Sequence, residues 1–334
     1  MNYIGSKVSL LPFLEAVWQE VRDGDETTFL DPFAGTGAVG RRFRELGLTV
    51  TAGDLQHYAV ALNRAYVALP HEPADARARL TELNALAAHS PAPGGFLHQH
   101  YSPAGGRLYF TEETAARADA IRQQLSQWRA AGEIGEETFD YLLASLLENL
   151  DAVANTASVY GAFLKRFKAS ALRPLTLRPL TLPAKGPAGR AVRADANALV
   201  AATPTDVLYL DPPYNHRQYG ANYHVLETVA AYDAPALSGV TGLRDGYARS
   251  AYCSRPQVRR AFADLIAAAR ARHILVSYND EGLLPLMELR DLLASRGEVR
   301  TYEQPNYPRY KADNGRAYKA TVTVEYVHYV RVTK

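Results

Sequence analysis

The sequence predicts an α/β fold with a mostly parallel sheet that ends in an antiparallel C-terminal strand. Residues 27–64 alternate apolar runs with a glycine loop and helical stretches in β-α-β order, which typically feeds a parallel sheet. The short apolar runs 206–211 and 273–278 have the composition of strands buried on both faces. The stretch 320–332 alternates apolar and polar residues, and it is expected to pair with 299–304 as an antiparallel hairpin.

The β-α-β unit defines the first elements of the sheet. A strand is predicted to reach about Asp31, and after the glycine loop a helix is predicted from about Ala38 to Leu46. A second strand, LTVTAGD, is expected to end at Asp54 before a second helix begins. Both strands therefore end in an aspartate at the carboxyl edge of the sheet, where open α/β sheets hold their ligands.

A helical insertion is predicted between the second strand and the 206–211 strand. Apolar residues recur at helical spacing over 111–155, with Thr111 and the acids after it as an N-terminal signal. The stretch 89–107 is rich in Pro, Gly and Ser and is predicted to be a loop. We therefore divide the chain into a catalytic domain and a helical target-recognition insertion, with the boundaries 1–66 plus 190–334 for the domain and 67–189 for the insertion.

The insertion ends in a basic segment, 160–193, which we call the basic arm. It holds eight Lys/Arg and no acid, and it contains the direct repeat RPLTL-RPLTL. The repeat is too short to define an architecture, and its prolines favour an extended backbone. Such a segment suits phosphate binding, with a solvated basic face as the alternative.

Composition limits the class of protein. The 334 residues carry a net charge of +2, so any surface for nucleic acid must be a local patch. A single cysteine, Cys253, excludes an intrachain disulfide and a cysteine zinc cluster. His98 and His100 form an H-x-H without a third ligand, so no metal site is expected. Without a signal peptide or an 18-residue apolar span, a soluble cytoplasmic protein is expected.

The glycine loop predicts a nucleoside ligand. Gly35, Gly37 and Gly40 fit G-x-G-x-x-G between a strand and a helix, and Asp54 follows Gly35 by 19 residues, as suits a ribose diol. This pattern alone does not separate NAD from other nucleosides, and a tight turn without a ligand is the plain alternative. Asp31, just before the loop, would repel a pyrophosphate and attract an ammonium group. A ligand that is part nucleoside and part amino acid is S-adenosylmethionine (SAM).

The stretch VLYLDPPYNHRQYG, residues 207–220, predicts the chemistry. Proline cannot continue a strand, so Asp211 stands where a buried strand ends. A carboxylate and a rigid backbone carbonyl at Pro212 can accept both N–H bonds of an exocyclic amine and stabilise its developing positive charge. Tyr214 offers a face on which a base can stack. The alternative is an ordinary turn with a solvent-facing Asp and a packed Tyr.

These motifs together resemble the N6-adenine-specific DNA methyltransferases of the D12 class. NYIGSK (2–7), DPFAGTG and DPPY occur in the order of that group, as do the segments 214–230 and 276–284. The resemblance implies a Rossmann-like SAM-dependent methyltransferase sheet, catalytic residues Asp211, Pro212 and Tyr214, and no metal. It also implies a cofactor site, with the adenine at Asp195 and the ribose at Asp54. The residues expected to bind the cofactor are Tyr3, Lys7, Asp31, Phe33, Gly35, Thr36, Gly37, Asp54, Leu55, Asp195 and Ala196.

Basic, amide and aromatic side chains beside these motifs are predicted to contact DNA. Cations would meet phosphates, whereas amides and aromatic rings would meet bases. The basic, aromatic stretch 306–319 is read as a hairpin tip, either a DNA contact or an ordinary exposed turn. The residues expected to contact DNA are Lys165, Arg166, Arg173, Arg178, Arg217, Tyr219, Asn222, Tyr223 and His224.

The expected activity is methyl transfer from SAM to the N6 amine of an adenine flipped out of duplex DNA. The alternatives are N4-cytosine methylation, which uses the same amine chemistry, and methylation of adenine in structured RNA. A DNA-binding regulator on an inactive scaffold and an NAD enzyme remain further alternatives. A cognate restriction nuclease is a possible partner, and a monomer or weak dimer is expected.

Overall fold

Seven strands form the main sheet in the computed structural model, which describes residues 3–89, 94–308 and 322–333. The strands of the main sheet and of a separate two-stranded pair are, in chain order, β1 Thr28–Asp31, β2 Thr49–Asp54, β3 Arg190–Arg193, β4 Thr205–Leu210, β5 Leu237–Ser238, β6 Leu243–Arg244, β7 Ala271–Asn279, β8 Val299–Pro308 and β9 Val322–Arg331. The main sheet has the order β3-β2-β1-β4-β7-β9-β8, and β5 and β6 form a separate antiparallel pair. β9 runs in the opposite direction to the six other strands of the main sheet. The predicted parallel sheet with an antiparallel C-terminal strand is confirmed.

Helices surround the sheet and form most of the insertion. The predicted helix after the glycine loop is confirmed as Ala38–Glu45, and the helical stretch 111–155 forms two helices, the first capped by Thr111 Oγ1. The helices are α1 Leu11–Val21, α2 Ala38–Glu45, α3 His57–Asn63 with a π-helical extension Arg64–Ala68, α4 Ala76–His89, α5 Phe96–Tyr101, α6 Glu112–Ala130, α7 Glu136–Ala152, α8 Ala196–Ala202, α9 Tyr219–Asn222, α10 His224–Ala231, α11 Arg255–Ala268 and α12 Leu286–Ala294.

The prediction that 89–107 is entirely a loop was wrong, because α5 lies within it. The carboxylate of Asp119, on α6, accepts hydrogen bonds from the backbone N–H groups of Leu97 and His98 at 3.1 and 2.9 Å. These are two of the donors that the first turn of a helix leaves unpaired. A cap supplied from a distant helix therefore offsets the weak local helical signal.

The main sheet is covered on both faces, as its strand composition predicts. One core joins α1 and α2 to the face that carries Phe29 and Val207, and the other joins α8, α11 and α12 to the face that carries Leu30 and Leu208. Consecutive residues of one strand thus enter different cores because side chains alternate across a strand. The carboxyl ends of the strands stay uncovered between the two helical layers, and that edge holds the motifs.

A third core belongs to the helical insertion, but it does not stop at the predicted boundaries. It contains Leu83, Ile121 and Leu146 of the insertion, and it also contains Leu62 of α3 and Leu226 of α10. Tyr3 from the N-terminal segment is part of the same core. The insertion is therefore packed directly against the elements that carry the motifs.

The basic arm has no helix or strand from 174 to 189, as predicted, but it is packed onto the insertion. Leu175, Leu177 and Leu180 are buried in the third core. The backbone of Leu177 exchanges two hydrogen bonds of 2.9 Å with the amide of Asn84, and the Leu180 N–H donates to the hydroxyl of Tyr141 at 2.9 Å. The arm is an extended segment held along the insertion.

No helix in the described ranges is long and apolar enough to cross a membrane. Most of the stretch 306–319, predicted to be a hairpin tip, lies outside the described residues.

The packing of the arm generates a stability prediction. Leu177→Ala should lower the free energy of unfolding by about 2–5 kcal/mol, because it removes a buried side chain and leaves a cavity. Leu172→Ala is the matched control, since Leu172 is 63% exposed on the same arm, and its effect should stay within about 0.5 kcal/mol. Urea denaturation of the two variants measures the difference. Equal midpoints for both would contradict the packed arm.

Candidate active site

One cavity opens at the carboxyl ends of β1, β2 and β4, where the strand order reverses between β1 and β4. Open α/β sheets place ligands at such a switch point. The cavity encloses about 870 Å³, counting the solvent at its mouth. Its lining includes Asp31, Gly35 and Asp54 from the glycine-loop end and Lys7 and Asp211 from the DPPY end. The two predicted sites are therefore one space.

The glycine loop is held from both sides. Gly35 and Gly37 have φ of +50° and +80°, a backbone region that glycine enters without strain. The N–H of Gly35 donates to Asp54 Oδ2 at 3.0 Å, and its carbonyl accepts from Asn63 Nδ2 at 2.9 Å. A Cβ on Gly35 would lie 3.1 Å from the ring of Tyr3. The loop is thus rigid, and small residues are required where it meets the N-terminal segment.

Acceptors gather at the end of β2. Asp54 Oδ1 accepts from the Gln56 N–H at 2.9 Å, and burial raises the pKa of Asp54 to about 6. Gln56 also lines the cavity, is 4% exposed, and its Oε1 has no hydrogen-bond partner in the part of the chain that the structure describes. A buried oxygen without a partner is costly unless a ligand supplies a donor. Gln56 was not anticipated from the sequence, although it follows the Asp54-Leu55 pair directly.

Aspartates at the ends of β1 and β4 give the cavity its charge. Lys7 Nζ forms an ion pair with Asp211 Oδ1 at 3.0 Å, with both side chains largely buried. Asp31 is 2% exposed and has no cationic partner among the described residues. Burial raises the pKa of Asp31, and the charge of Asp211 raises it further. Burial also raises the pKa of Asp211, whereas the Lys7 ammonium lowers it. An acceptor for a cationic group is therefore available at Asp31.

Aromatic and amide side chains close the side of the cavity next to α8. Tyr252 packs edge-on against Phe33, with ring centroids 4.9 Å apart, and its hydroxyl donates to Asn197 Oδ1 at 2.8 Å. Asp195 caps α8 by accepting from the N–H groups of Asn197 and Ala198, and it lines the cavity as well. No sequence signal pointed to Tyr252, because its place depends on the packing of α11 against α8.

The N-terminal segment is clamped by the segment that follows DPPY. Tyr219 donates its hydroxyl to the carbonyl of Ile4 at 3.1 Å, and the Ile4 N–H donates to the hydroxyl of Tyr223 at 2.7 Å. Tyr223 stacks on Tyr3 with ring centroids 4.6 Å apart. These contacts bring Lys7 to Asp211, which precedes the same segment.

Two of the residues predicted to contact DNA are in the protein interior. Tyr223 and His224 are both fully buried, so the prediction was wrong for them. Tyr223 holds the N-terminal segment, and both ring nitrogens of His224 lie within hydrogen-bond distance of backbone carbonyls, those of Ala221 and Thr241. Both residues face inward because α10, which begins at His224, packs into the third core, and Tyr223 is part of that core.

The other predicted residues, except Gly37 and Pro212, line the cavity or are at least partly accessible. Every predicted cofactor residue except Gly37 lines it, as do Asp211 and Tyr219. Pro212 is buried and Tyr214 and Asn222 are half-buried. The predicted basic residues are all exposed, and the arm begins beside Asn222, whose carbonyl accepts from the Tyr160 N–H at 2.7 Å. The exposed basic side chains are those of Lys165, Arg166, Arg173, Arg178 and Arg217.

A sheet of this order, with a glycine loop and a DPPY strand end opening into one cavity, defines a Rossmann-like methyltransferase. Residues 3–292 match the family described as D12 class N6 adenine-specific DNA methyltransferase, and the chain belongs to that family.

Relatives named as type II methyltransferases align along the chain. It is 43% identical over 339 residues to the type II methyltransferase M.NlaIII of Neisseria lactamica, and the alignment covers 100% of both chains. It is 38% identical over 345 residues to the type II methyltransferase M.FokI of Planomicrobium okeanokoites, covering 99% of this chain and 52% of that relative. It is 33% identical over 313 residues to the type II methyltransferase M.CviAII of Paramecium bursaria Chlorella virus 1, covering 93% of each.

The family and these relatives decide between the alternatives. The chain is an enzyme, a site-specific DNA methyltransferase that acts on the N6 amine of adenine. DNA is its substrate, and a methyl donor is its second requirement. The N4-cytosine, RNA, regulator and NAD alternatives are not favoured.

Proposed function

We propose that this enzyme transfers the methyl group of SAM to an adenine flipped out of duplex DNA, with Asp211, Pro212 and Tyr214 as catalytic residues. The observation that carries the proposal is the single cavity shared by the glycine loop and Asp211. A methyl donor seated at the loop and an amine held at Asp211 would share one space. Flipping is required because the N6 amine of a stacked base cannot reach a recessed site.

The residues of the cavity fit SAM. Asp31, buried and with no cationic partner in the described part of the chain, suits the ammonium of the methionine moiety. Asp54 and the unpaired Oε1 of Gln56 offer acceptors for ribose hydroxyls, and the Phe33–Tyr252 wall with Asp195 suits the adenine. When bound, SAM supplies a sulfonium methyl group that an amine can displace directly. NAD fits less well, because Asp31 would face a pyrophosphate.

The chain's own residues prepare the amine. Lys7 pairs with Oδ1 of Asp211, which leaves Oδ2 to accept one N–H of the target amine. The Pro212 carbonyl accepts the other, since a proline fixes the backbone there. Asp211 thereby stabilises the positive charge that develops on the amine, and much of the remaining acceleration comes from positioning. Tyr214 stacks on the flipped ring.

We propose that duplex DNA lies across the cavity mouth and the insertion, 67–189, which would read the recognition sequence. The start of the basic arm adjoins Asn222, which follows Arg217 and DPPY in the sequence, so Lys165 and Arg166 would share one DNA surface with Arg217. These cations would bind phosphates. The type II names of the relatives support a cognate restriction nuclease, and we propose that a monomer is sufficient for methylation.

The cofactor site generates the next prediction. Asp54→Ala should weaken SAM binding by about 1–3 kcal/mol, because it removes acceptors of the loop and of the ribose. Wild-type affinity should fall as pH drops through about 6, since Asp54 then takes up a proton, and Asp54→Ala should lack that part of the decline. Isothermal titration calorimetry across pH measures both.

The control is Asp206→Ala. Asp206 accepts backbone N–H bonds from Thr27 and Thr28 at the opposite end of the sheet. This variant should lose stability and keep wild-type affinity for SAM. An Asp54 variant that binds SAM as tightly as wild type would place the cofactor elsewhere.

The catalytic assignment is tested with labelled SAM, DNA containing all sequence contexts, and digestion to nucleosides. Wild type should produce N6-methyladenine. Asp211→Ala should lose on the order of a hundred- to a thousandfold or more in single-turnover rate while folding and binding DNA, because its contribution arises in the transition state. Tyr214→Ala should lose less, since stacking is worth about 1–3 kcal/mol, and Tyr214→Phe should retain most activity. Near wild-type methylation by the Asp211 variant would refute the mechanism.

The DNA surface is tested by charge neutralisation. Replacing Lys165, Arg166 and Arg217 together by Gln should weaken binding across all sequences and flatten the salt dependence by up to about 0.9 per lost phosphate contact. A second variant replaces Arg173 and Arg178, farther along the arm, by Gln. The salt dependence of its DNA binding shows how far along the arm the phosphate contacts extend. The control neutralises Arg259 and Arg260, which are exposed on α11. If the salt dependence of DNA binding is unchanged in the first variant, the basic arm is a solvated basic face that does not contact DNA.

A further inference from the structure

We propose that Glu325 is a positioning residue for methyl transfer, which shares the charge of Lys7 with Asp211 so that the three side chains together keep a net negative charge toward the target amine. The inference rests on the proposed catalytic role of Asp211. Glu325 lies on β9, far from both motifs in the sequence.

Strand register places Glu325 on the same face as Asp211. Tyr209 of β4 pairs with Leu275 of β7, and the Tyr209 hydroxyl donates to Ser277 Oγ at 2.8 Å on that face. Because side chains alternate, Asp211 and Asn279 continue this face at the carboxyl ends of β4 and β7. Asn279 in turn pairs with Glu325 across the antiparallel β7–β9 ladder. Asp211, Asn279 and Glu325 therefore lie at one corner of the sheet, next to Lys7.

The corner is buried and holds more acid than base. Glu325 is 5% exposed, Asn279 3% and Lys7 6%. Burial raises the pKa of Glu325, the Lys7 charge lowers it, and Asp211 raises it again. For Lys7, burial acts to lower the pKa, while the charges of Asp211 and Glu325 raise it overall. The positive charge of Lys7 thus interacts with two carboxylates. A buried carboxylate stays ionised only when a nearby positive charge or hydrogen bonds offset the cost of burying its charge.

The second carboxylate changes what Asp211 can do. A lone Lys7–Asp211 pair is neutral, and its ammonium would oppose the positive charge that develops on the target amine. With Glu325 ionised, the three groups carry a net charge of −1, so the corner attracts that positive charge. Such interactions are strong in a water-poor site. Glu325 would therefore act through Lys7 and Asp211 without touching the base.

Asn279 connects Glu325 to the second catalytic side chain. Burial raises the pKa of Tyr214 as it does that of Glu325, and hydrogen bonding from the Asn279 side chain acts to lower both. The Tyr214 carbonyl also accepts from the Leu283 N–H at 2.9 Å, which fixes the segment that follows DPPY. The network around Glu325 thus reaches both Asp211 and Tyr214.

The test is the pH dependence of single-turnover methylation at saturating SAM on one duplex substrate. Glu325→Gln should slow the plateau rate by on the order of tenfold to a hundredfold. It should also move the acid limb to lower pH, because removing a neighbouring negative charge lowers the pKa of Asp211. Glu325→Asp, which keeps the charge, should restore the wild-type limb. SAM affinity should change far less than the rate.

Glu303→Gln is the matched control, an exposed glutamate on neighbouring β8, and it should match wild type in rate and pH limb. A wild-type rate for Glu325→Gln, or a slower rate with an unmoved acid limb, would overturn the inference and leave only a structural role. If wild type itself forms no N6-methyladenine, the proposed function fails and the inference fails with it. If wild type is active and Glu325→Gln matches it in rate and acid limb, the inference about Glu325 is overturned and the proposed function stands.

Discussion

The buried ion pair between Lys7 and Asp211 is the interaction on which the rest of the site depends. It joins the N-terminal segment to the end of the central strand β4, and its Nζ–Oδ1 distance is 3.0 Å. A buried pair is costly to break from one side, because the remaining charge loses its partner. The aromatic clamp of Tyr219 and Tyr223 on Ile4 keeps the lysine in place, so the segment on either side of the pair is fixed before any ligand binds.

Charge balance explains why this cavity suits a cationic methyl donor. Asp31 and Asp211 both face it, and Lys7 compensates only the second. Asp31 has no cationic partner among the described residues, so a positively charged ligand would offset its charge. In the proposed mechanism an amine that gains positive charge would be stabilised at Asp211, so ligand binding and catalysis would use the same surplus of negative charge at the carboxyl edge of the sheet.

The shared third core links the insertion, for which we propose DNA recognition, to this edge. Tyr3 packs among the helices of the insertion, and α10, which follows DPPY, packs into the same core. The insertion therefore has a fixed orientation relative to the cavity. The basic arm runs along its surface with its leucines buried, so the backbone that carries its exposed cations is held in place and would lose little conformational freedom on binding a phosphate backbone.

The sequence by itself determined the sheet, the glycine loop and the DPPY strand end, because each depends on local patterns of apolar residues, glycine and proline. Of the residues expected to bind the cofactor, all except Gly37 line one cavity. Only the tertiary structure decided the roles of Glu325, Gln56 and Tyr252, and the burial of Tyr223 and His224. Glu325 meets Asp211 through strand order and register, and Tyr223 turns inward because a distant core covers its helix. Such contacts depend on residues far apart in the chain, so no local pattern contains them.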